Sequence, residues 1–292
     1  MTTQYPEQAR ARFARVAFAE NLGITIAELA HDRAVLVLPY APDHMNAGGV
    51  LNGGASASLV TIAGTLAAWA GVDTDARTEL RCVDLSVQYL DAGREDDVIA
   101  EARVLRRGRD MVFLDVALRS RPGVPICQGL LTYQTADHAG HAPRLRADPI
   151  LLPAPSALAA PPEHRLFRGY VSKLDMTPVH EGPGRVRLHM PCTSKHVDES
   201  GHLHAGALAS IVDIAAVAAS WSLVPRRAGA RGSTIAMQVS FPSTTTDGVV
   251  ADAHVQQRSE SLLFSTVHVT AATSGQLVAM GQVSYRLMEP WP

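Results

Sequence analysis

The chain has 292 residues, which at roughly 150 residues per domain sets an expectation of two domains. Hydrophobic residues make up 47% and charged residues 18%, a globular composition that excludes disordered, fibrous and coiled-coil classes. Lys plus Arg number 26 against 28 Asp plus Glu; a net charge of −2 gives no electrostatic reason for a nucleic-acid or acidic-membrane partner and leaves a small molecule or another protein.

The first residues, MTTQYPEQARARFAR, are polar and lack the apolar core and cleavage site of a secretory signal. Cys82, Cys127 and Cys192 stand far apart with no C-x-x-C pairing, so a reducing, cytoplasmic location is expected. Residues 7–20 have helical composition, and Ile24 to Glu28 and Ala34 to Pro39 alternate as strands. Gly53 to about Ala70 reads as one long helix. Its uncharged stretch, Ala55 to Val72, approaches a membrane span in length, but it is built of Ala, Gly, Ser and Thr with few large aliphatics, and a buried soluble helix is expected. Strands follow near 82–90, 97–106, 111–119 and 126–134. Because the helix is apolar or small around its whole circumference, it must be enclosed on all sides. A curved antiparallel sheet wrapped round one central helix meets that requirement, an α+β class.

The same order then recurs. Residues 46–61, NAGGVLNGGASASLVT, and 198–213, DESGHLHAGALASIVD, share seven of sixteen positions at a constant offset of 152. At that offset Pro39 meets Pro191, His44 meets His196, Trp69 meets Trp221, Tyr89 meets Phe241 and Tyr133 meets Tyr285. A repeat of this length, seen twice, is a duplicated domain. The expected division is 1–137 for the first copy, a Pro/Ala-rich extended linker over 138–165, and 166–292 for the second.

The pattern N-x-x-G-x-x-[HN]-G-G, with an acidic residue nine positions after the [HN], resembles the hotdog-fold acyl-CoA thioesterases of the phenylacetyl-CoA thioesterase type. The strands VDLSVQYL and IAMQVSFP resemble the strand after that family's helix, and the likeness runs over about 18–135 and 167–288, a tandem or double hotdog. The resemblance implies paired copies with a site at their interface. One arm, a helix-start amide and an Asn, polarises the thioester carbonyl; the other, from the partner helix, supplies a carboxylate helped by a Ser or Thr. The physical logic is general: a helix N-terminus offers unpaired N–H groups where an oxyanion develops, and an opposed carboxylate activates water or attacks the carbonyl. It implies no metal or redox cofactor, since coenzyme A arrives with the substrate.

Carried over by position, Asn46 and Gly53 match the polarising arm in the first copy, with Asn52 where the family often has His, but Thr61 occupies the carboxylate position and Cys82 the Ser/Thr position. The second copy is the reverse: Asp213 and Thr234 match the carboxylate arm, while Asp198 replaces the Asn and Ala205 the Gly. Asn46, Gly53, Asp213 and Thr234 therefore compose one complete site. Asp198, His204 and Ala205 with Thr61 and Cys82 compose a degenerate second one, expected to be silent. A fused pair tolerates this division, whereas a homodimer must keep both arms in every subunit.

Other roles compete for these residues. Asp213, inside an apolar helix, could be a carboxylate hydrogen-bonded at the interface, and Asn46 could brace a turn. Gly53 and Gly54 also suit close helix packing. Asn52, Gly54, Arg107 and Arg258 are candidate substrate contacts, the arginines for the phosphates of coenzyme A, although the RVLRRGRD tract also reads as a solvated hairpin end. His196, His202 and His204 form at most a weak metal pattern. Besides an acyl-CoA thioesterase, the residues admit a non-catalytic acyl-CoA-binding regulator and, less well, a hydratase. The partners expected are an acyl-CoA, the other copy within the chain, and a possible second chain in a homodimer of double hotdogs.

Overall fold

The computed structural model describes residues 4–74, 78–137, 168–224 and 230–288. The expected linker at 138–165 lies outside the described residues. The helical stretch near the N-terminus divides into α1 (Gln4–Phe13) and α2 (Ala17–Asn21). The corner falls at Val16, whose extended backbone (φ −82°, ψ 90°) lets Val16 and Phe18 both turn into the core. Strands β1 (Thr25–Ala30) and β2 (Arg33–Leu38) lead through a 3-10 turn at Pro42–His44 into α3 (Gly53–Trp69). Four long strands complete the first copy: β3 (Thr78–Tyr89), β4 (Val98–Arg107), β5 (Met111–Ser120) and β6 (Pro125–Asp137). The second copy repeats the plan with α4 (Tyr170–Lys173), β7 (Thr177–Gly182), β8 (Arg185–Met190), α5 (Ala205–Trp221), β9 (Arg231–Ser240), β10 (Val249–Ser259), β11 (Leu262–Ala271) and β12 (Leu277–Met288).

All twelve strands form one antiparallel sheet in the order β1-β2-β4-β5-β6-β3-β9-β12-β11-β10-β8-β7. The order reads the same from either end when each strand is replaced by its repeat. The two copies therefore join edge to edge through β3 and β9, and neither strand is left as an unpaired edge. Their register is centred on Ser86 opposite Gln238, two residues that are each other's repeat equivalents. That pair marks a pseudo-twofold axis.

Each central helix is enclosed as its composition requires. Leu59, Ile62 and Leu66 on α3 are at most 1% exposed, and burial of each contributes about 1.5–3 kcal/mol. The helices also cross tightly on the axis. A Cβ on Gly54 would lie 3.1 Å from Ser210 Cα, and one on Gly206 would lie 3.0 Å from Ser58 Cα. Small residues four apart on both helices thus let the backbones approach, and the hydroxyls meet: Ser58 Oγ lies 2.9 Å from Ser210 Oγ, while each serine donates at 2.9 Å to a glycine carbonyl of the other helix.

The short leading helices cross over. The Phe18 amide donates to Val197 O at 3.1 Å, the Tyr170 amide donates to Met45 O at 3.3 Å, and Arg12 on α1 pairs with Glu199 at 2.6 Å. Each copy's leader is therefore docked on the loop that precedes the other copy's helix. Among the described residues, no helix is long and apolar enough to cross a membrane.

Candidate active site

Helix α3 starts because Asn52, in extended backbone, caps it: Asn52 Oδ1 accepts from the Gly54 amide at 2.8 Å. The Gly53 amide, first in the helix, has no hydrogen-bond partner among the described residues. Seven residues earlier Asn46 shapes the approach loop, with Oδ1 accepting from Gly48 N at 2.8 Å and Val50 N at 3.4 Å. Asn46 does brace a turn, as one of its competing roles required. Its Nδ2 group makes no hydrogen bond among the described residues and remains a donor.

The opposing helix brings Asp213 to this point. A Cβ on Gly53 would lie 2.8 Å from Asp213 Oδ2, closer than side-chain carbons come, and 3.2 Å from Oδ1. Only glycine leaves that volume to the carboxylate. Thr234 on β9 donates to Asp213 Oδ1 at 2.7 Å. Asp213 is 2% exposed, and burial pushes its pKa up to about 6, against the Thr234 hydroxyl and the Gly54 amide, which hold it down. Ionised near neutrality yet poised close to it, the group meets the requirement for a general base.

Two tyrosines complete the surroundings. Tyr89 on β3 donates to Gly53 O at 3.1 Å, and Tyr170 on α4 places its hydroxyl 2.8 Å from Ser58 Oγ and 2.9 Å from Ser210 Oγ. Both feel the charge of Asp213, which raises their pKa in addition to burial. The sequence singled out neither as a site residue, although the offset of 152 sets Tyr89 against Phe241 and Tyr170 against Phe18. That hydroxyl difference was the available signal.

The pseudo-twofold axis carries Gly53 and Asp213 onto Ala205 and Thr61 at the second interface. Here His204 caps α5, its Nδ1 accepting from the Gly206 amide at 2.9 Å. That bond leaves the proton on Nε2, and burial pushes the His204 pKa down to about 4, so the ring is neutral. Phe18 packs against it with ring centroids 5.3 Å apart. Thr61 turns its hydroxyl back onto Ala57 O at 2.7 Å, and the Cys82 thiol is pushed up to about 12 by burial. Asp198 repeats the turn of Asn46, accepting from Ser200 N at 2.8 Å and His202 N at 3.1 Å. Its second oxygen stands where Asn46 carries an N–H donor, and burial and Glu199 raise its pKa.

Several expected substrate contacts have other work. Gly54 is packed against Ser210, and its amide serves Asp213 and Asn52, whose Oδ1 is spent on the cap. Arg107 donates to Asp32 at 2.5 Å and to Ala68 O at 2.9 Å, which caps the far end of α3, about 22 Å along the axis from Gly53. It is neither a solvated hairpin end nor beside Gly53 and Asp213. Arg258 is exposed at the β10–β11 hairpin, with Nε donating to Glu260 O at 3.2 Å. His196 braces its loop through Pro191 O at 2.9 Å and Lys173 O at 3.2 Å, and among the described residues no cluster of three or more His, Cys, Asp and Glu is arranged for a metal.

Comparison with known proteins agrees with this architecture. The model of the thioesterase superfamily matches residues 48–127 and again 200–278, more than half of the chain. The chain belongs to the thioesterase superfamily, as a tandem hotdog, and is a thioester hydrolase. It is 29% identical over 120 residues to human acyl-coenzyme A thioesterase 13, covering 40% of this chain and 82% of that one. Among solved structures it superposes on acyl-CoA thioesterase II of Mycobacterium marinum with TM-score 0.65 at 16% identity, covering 94% of this chain and 98% of that one. A conserved protein with the hotdog fold from Alicyclobacillus acidocaldarius gives TM-score 0.65 at 13% identity, over 94% of this chain and 99% of that one.

Proposed function

We propose that the chain hydrolyses an acyl-CoA thioester to the free acid and coenzyme A at one composite site. The observation that carries this reading is the carboxylate of Asp213 lying over the Cα of Gly53 at the capped start of the opposite helix. The Gly53 amide and Asn46 Nδ2 hold the thioester oxygen as it gains negative charge, with the helix dipole behind them. Asp213 takes a proton from water as the water oxygen bonds to the carbonyl carbon; the proton then leaves with the coenzyme A sulfur. An attack by Asp213 itself, through an anhydride, uses the same ionised carboxylate. Thr234 fixes its orientation. The steps use a carboxylate, a hydroxyl, amide donors and water, and call for no metal or redox cofactor.

The acyl-CoA substrate is supported by the resemblance to acyl-coenzyme A thioesterase 13. We place the protein in the cytoplasm, in keeping with the unpaired Cys82, Cys127 and Cys192. The second interface is silent in this reading: it has threonine for the carboxylate, an acid for the amide donor, and phenylalanine for both tyrosines.

The test is thiol release from short, long and aromatic acyl-CoAs by the wild type, Asp213→Asn and Asp198→Ala. The expected result is turnover that falls about 10²-fold to 10⁴-fold with Asp213→Asn and survives Asp198→Ala. Loss below tenfold in folded Asp213→Asn would remove Asp213 from the mechanism. Stoichiometric coenzyme A binding with no turnover by the wild type would favour a regulator.

A further inference from the structure

The Tyr89 hydroxyl does not touch the reacting atoms, yet it is tied to them through one peptide unit. It donates to Gly53 O at 3.1 Å, and that carbonyl shares its peptide with the Gly54 N–H. The Gly54 amide in turn donates to Asn52 Oδ1 at 2.8 Å, and the Asp213 carboxylate lies against the same peptide unit, its Oδ2 2.8 Å from where a Cβ on Gly53 would stand, so that the amide favours its charged form. Donation to a peptide oxygen draws electron density from the nitrogen side and makes its N–H a stronger donor. At the second interface the equivalent of Tyr89 is Phe241, which has no hydroxyl, and the place of Asp213 is held by Thr61.

Resting on the assignment of Asp213 above, we propose that Tyr89 is a positioning residue: its hydroxyl polarises the Gly53–Gly54 peptide and so strengthens the amide that steadies the Asp213 carboxylate. The groups facing Asp213 are consistent with a simple titration. Thr234 on β9 and the Gly54 amide on α3 stabilise the charged form; Tyr170 on α4 and Tyr285 on β12, with Tyr89 itself, are the titratable groups that interact with it, and all three have pKa values raised by burial. They stay neutral through the range in which Asp213 ionises. Among the described residues, no charged side chain contributes to its titration.

The test is Tyr89→Phe, which keeps the ring and its packing. The Asp213 ionisation is followed in two ways, by the acid limb of kcat/KM and by 13C NMR of carboxyl-labelled aspartate, with Asp213→Asn identifying the resonance. Both midpoints are expected to rise by about half a pH unit or more, a roughly threefold change in the acid dissociation constant. At pH 6 the variant loses about twofold or more of its activity beyond what it loses at pH 8. Phe241→Tyr is expected to leave both midpoints in place. An unchanged or lowered NMR midpoint in folded Tyr89→Phe overturns the proposal. Because the NMR titration needs no turnover, it reports on Tyr89 even where the thioesterase assay fails, which would count against the assigned reaction instead.

Discussion

At the scale of single residues the site is a contest between burial and charge at Asp213. A folded pKa of about 6 against an ordinary 3.8 means that the folded state holds its proton more tightly than the unfolded chain. The ionised, buried carboxylate therefore costs stability above pH 6, about 3 kcal/mol at 1.36 kcal/mol per unit, and nothing below pH 3.8. Asp213→Asn is accordingly expected to raise the urea midpoint at pH 8 while lowering turnover about 10²-fold to 10⁴-fold, with the gain in stability shrinking as the pH falls through 6. Wild-type kcat/KM is expected to drop tenfold per unit below about pH 6, as the base takes up its proton. Gly53 is the matching steric residue. Gly53→Ala pushes a methyl into the Asp213 carboxylate and is expected to lower kcat about 10²-fold, whereas Ala205→Gly leaves kcat within about twofold. Equal effects of the two substitutions would show that the methyl-sized gap plays no part.

At the scale of elements, α3 and α5 are held together by small residues as much as by large ones. Gly206 faces the Cα of Ser58 at 3.0 Å, and backbone there does not give way as a flexible side chain would. Gly206→Val is expected to lower unfolding free energy by about 1–3 kcal/mol and to cut activity at the remote composite site, since Asp213 rides on the same helix. Urea unfolding and thiol release measured together check this; a destabilised variant with full activity would uncouple the crossing from the site. The caps show how one geometry takes two chemistries. Asn52 and His204 share φ −65° and ψ 138°, and each accepts from the amide two residues on. An [HN] position in the motif is thus readable in sequence as a cap, but its neutral, buried state at His204 depends on Phe18 and the other packing around it.

At the scale of the molecule, the pseudo-twofold axis makes the second site a near-copy that lacks defined parts. Thr61→Asp alone would drive its carboxylate into the Ala205 methyl, as Gly53 makes clear by its absence of one. In an Asp213→Asn background, Thr61→Asp with Ala205→Gly and Asp198→Asn is expected to restore at least about tenfold of the lost turnover, and the version retaining Ala205 to restore none. Thiol release from the four proteins decides it; equal rescue with and without Ala205 would remove the steric account. Both sites depend on the β3–β9 junction, which sets Ser86 against Gln238 and so fixes which helix start meets which acid.

The duplication and the strand and helix order were legible in the chain, because hydrophobic period and a constant offset are local properties of the residues in line; that Gly53 and Asn46 should face Asp213 and Thr234 was implied only by the resemblance to a family whose paired copies share a site. The helix over Gly53–Trp69 was legible for the same reason, its uniformly small and apolar circumference demanding enclosure. The corner at Val16 was not, since it exists to seat Phe18 against the other copy's helix cap. Nor was the work of Arg107, whose partners Asp32 and Ala68 are distant in sequence and meet it only when β4 crosses the end of α3. Tyr89 and Tyr170 carried a sequence signal, but their meaning lies in where the hydroxyls land, on Gly53 O and on the two serines at the axis. Residue types and spacing determine which groups a chain offers; packing across the pseudo-twofold axis decides which of them face one another, how far each is desolvated, and therefore which carboxylate is poised to react.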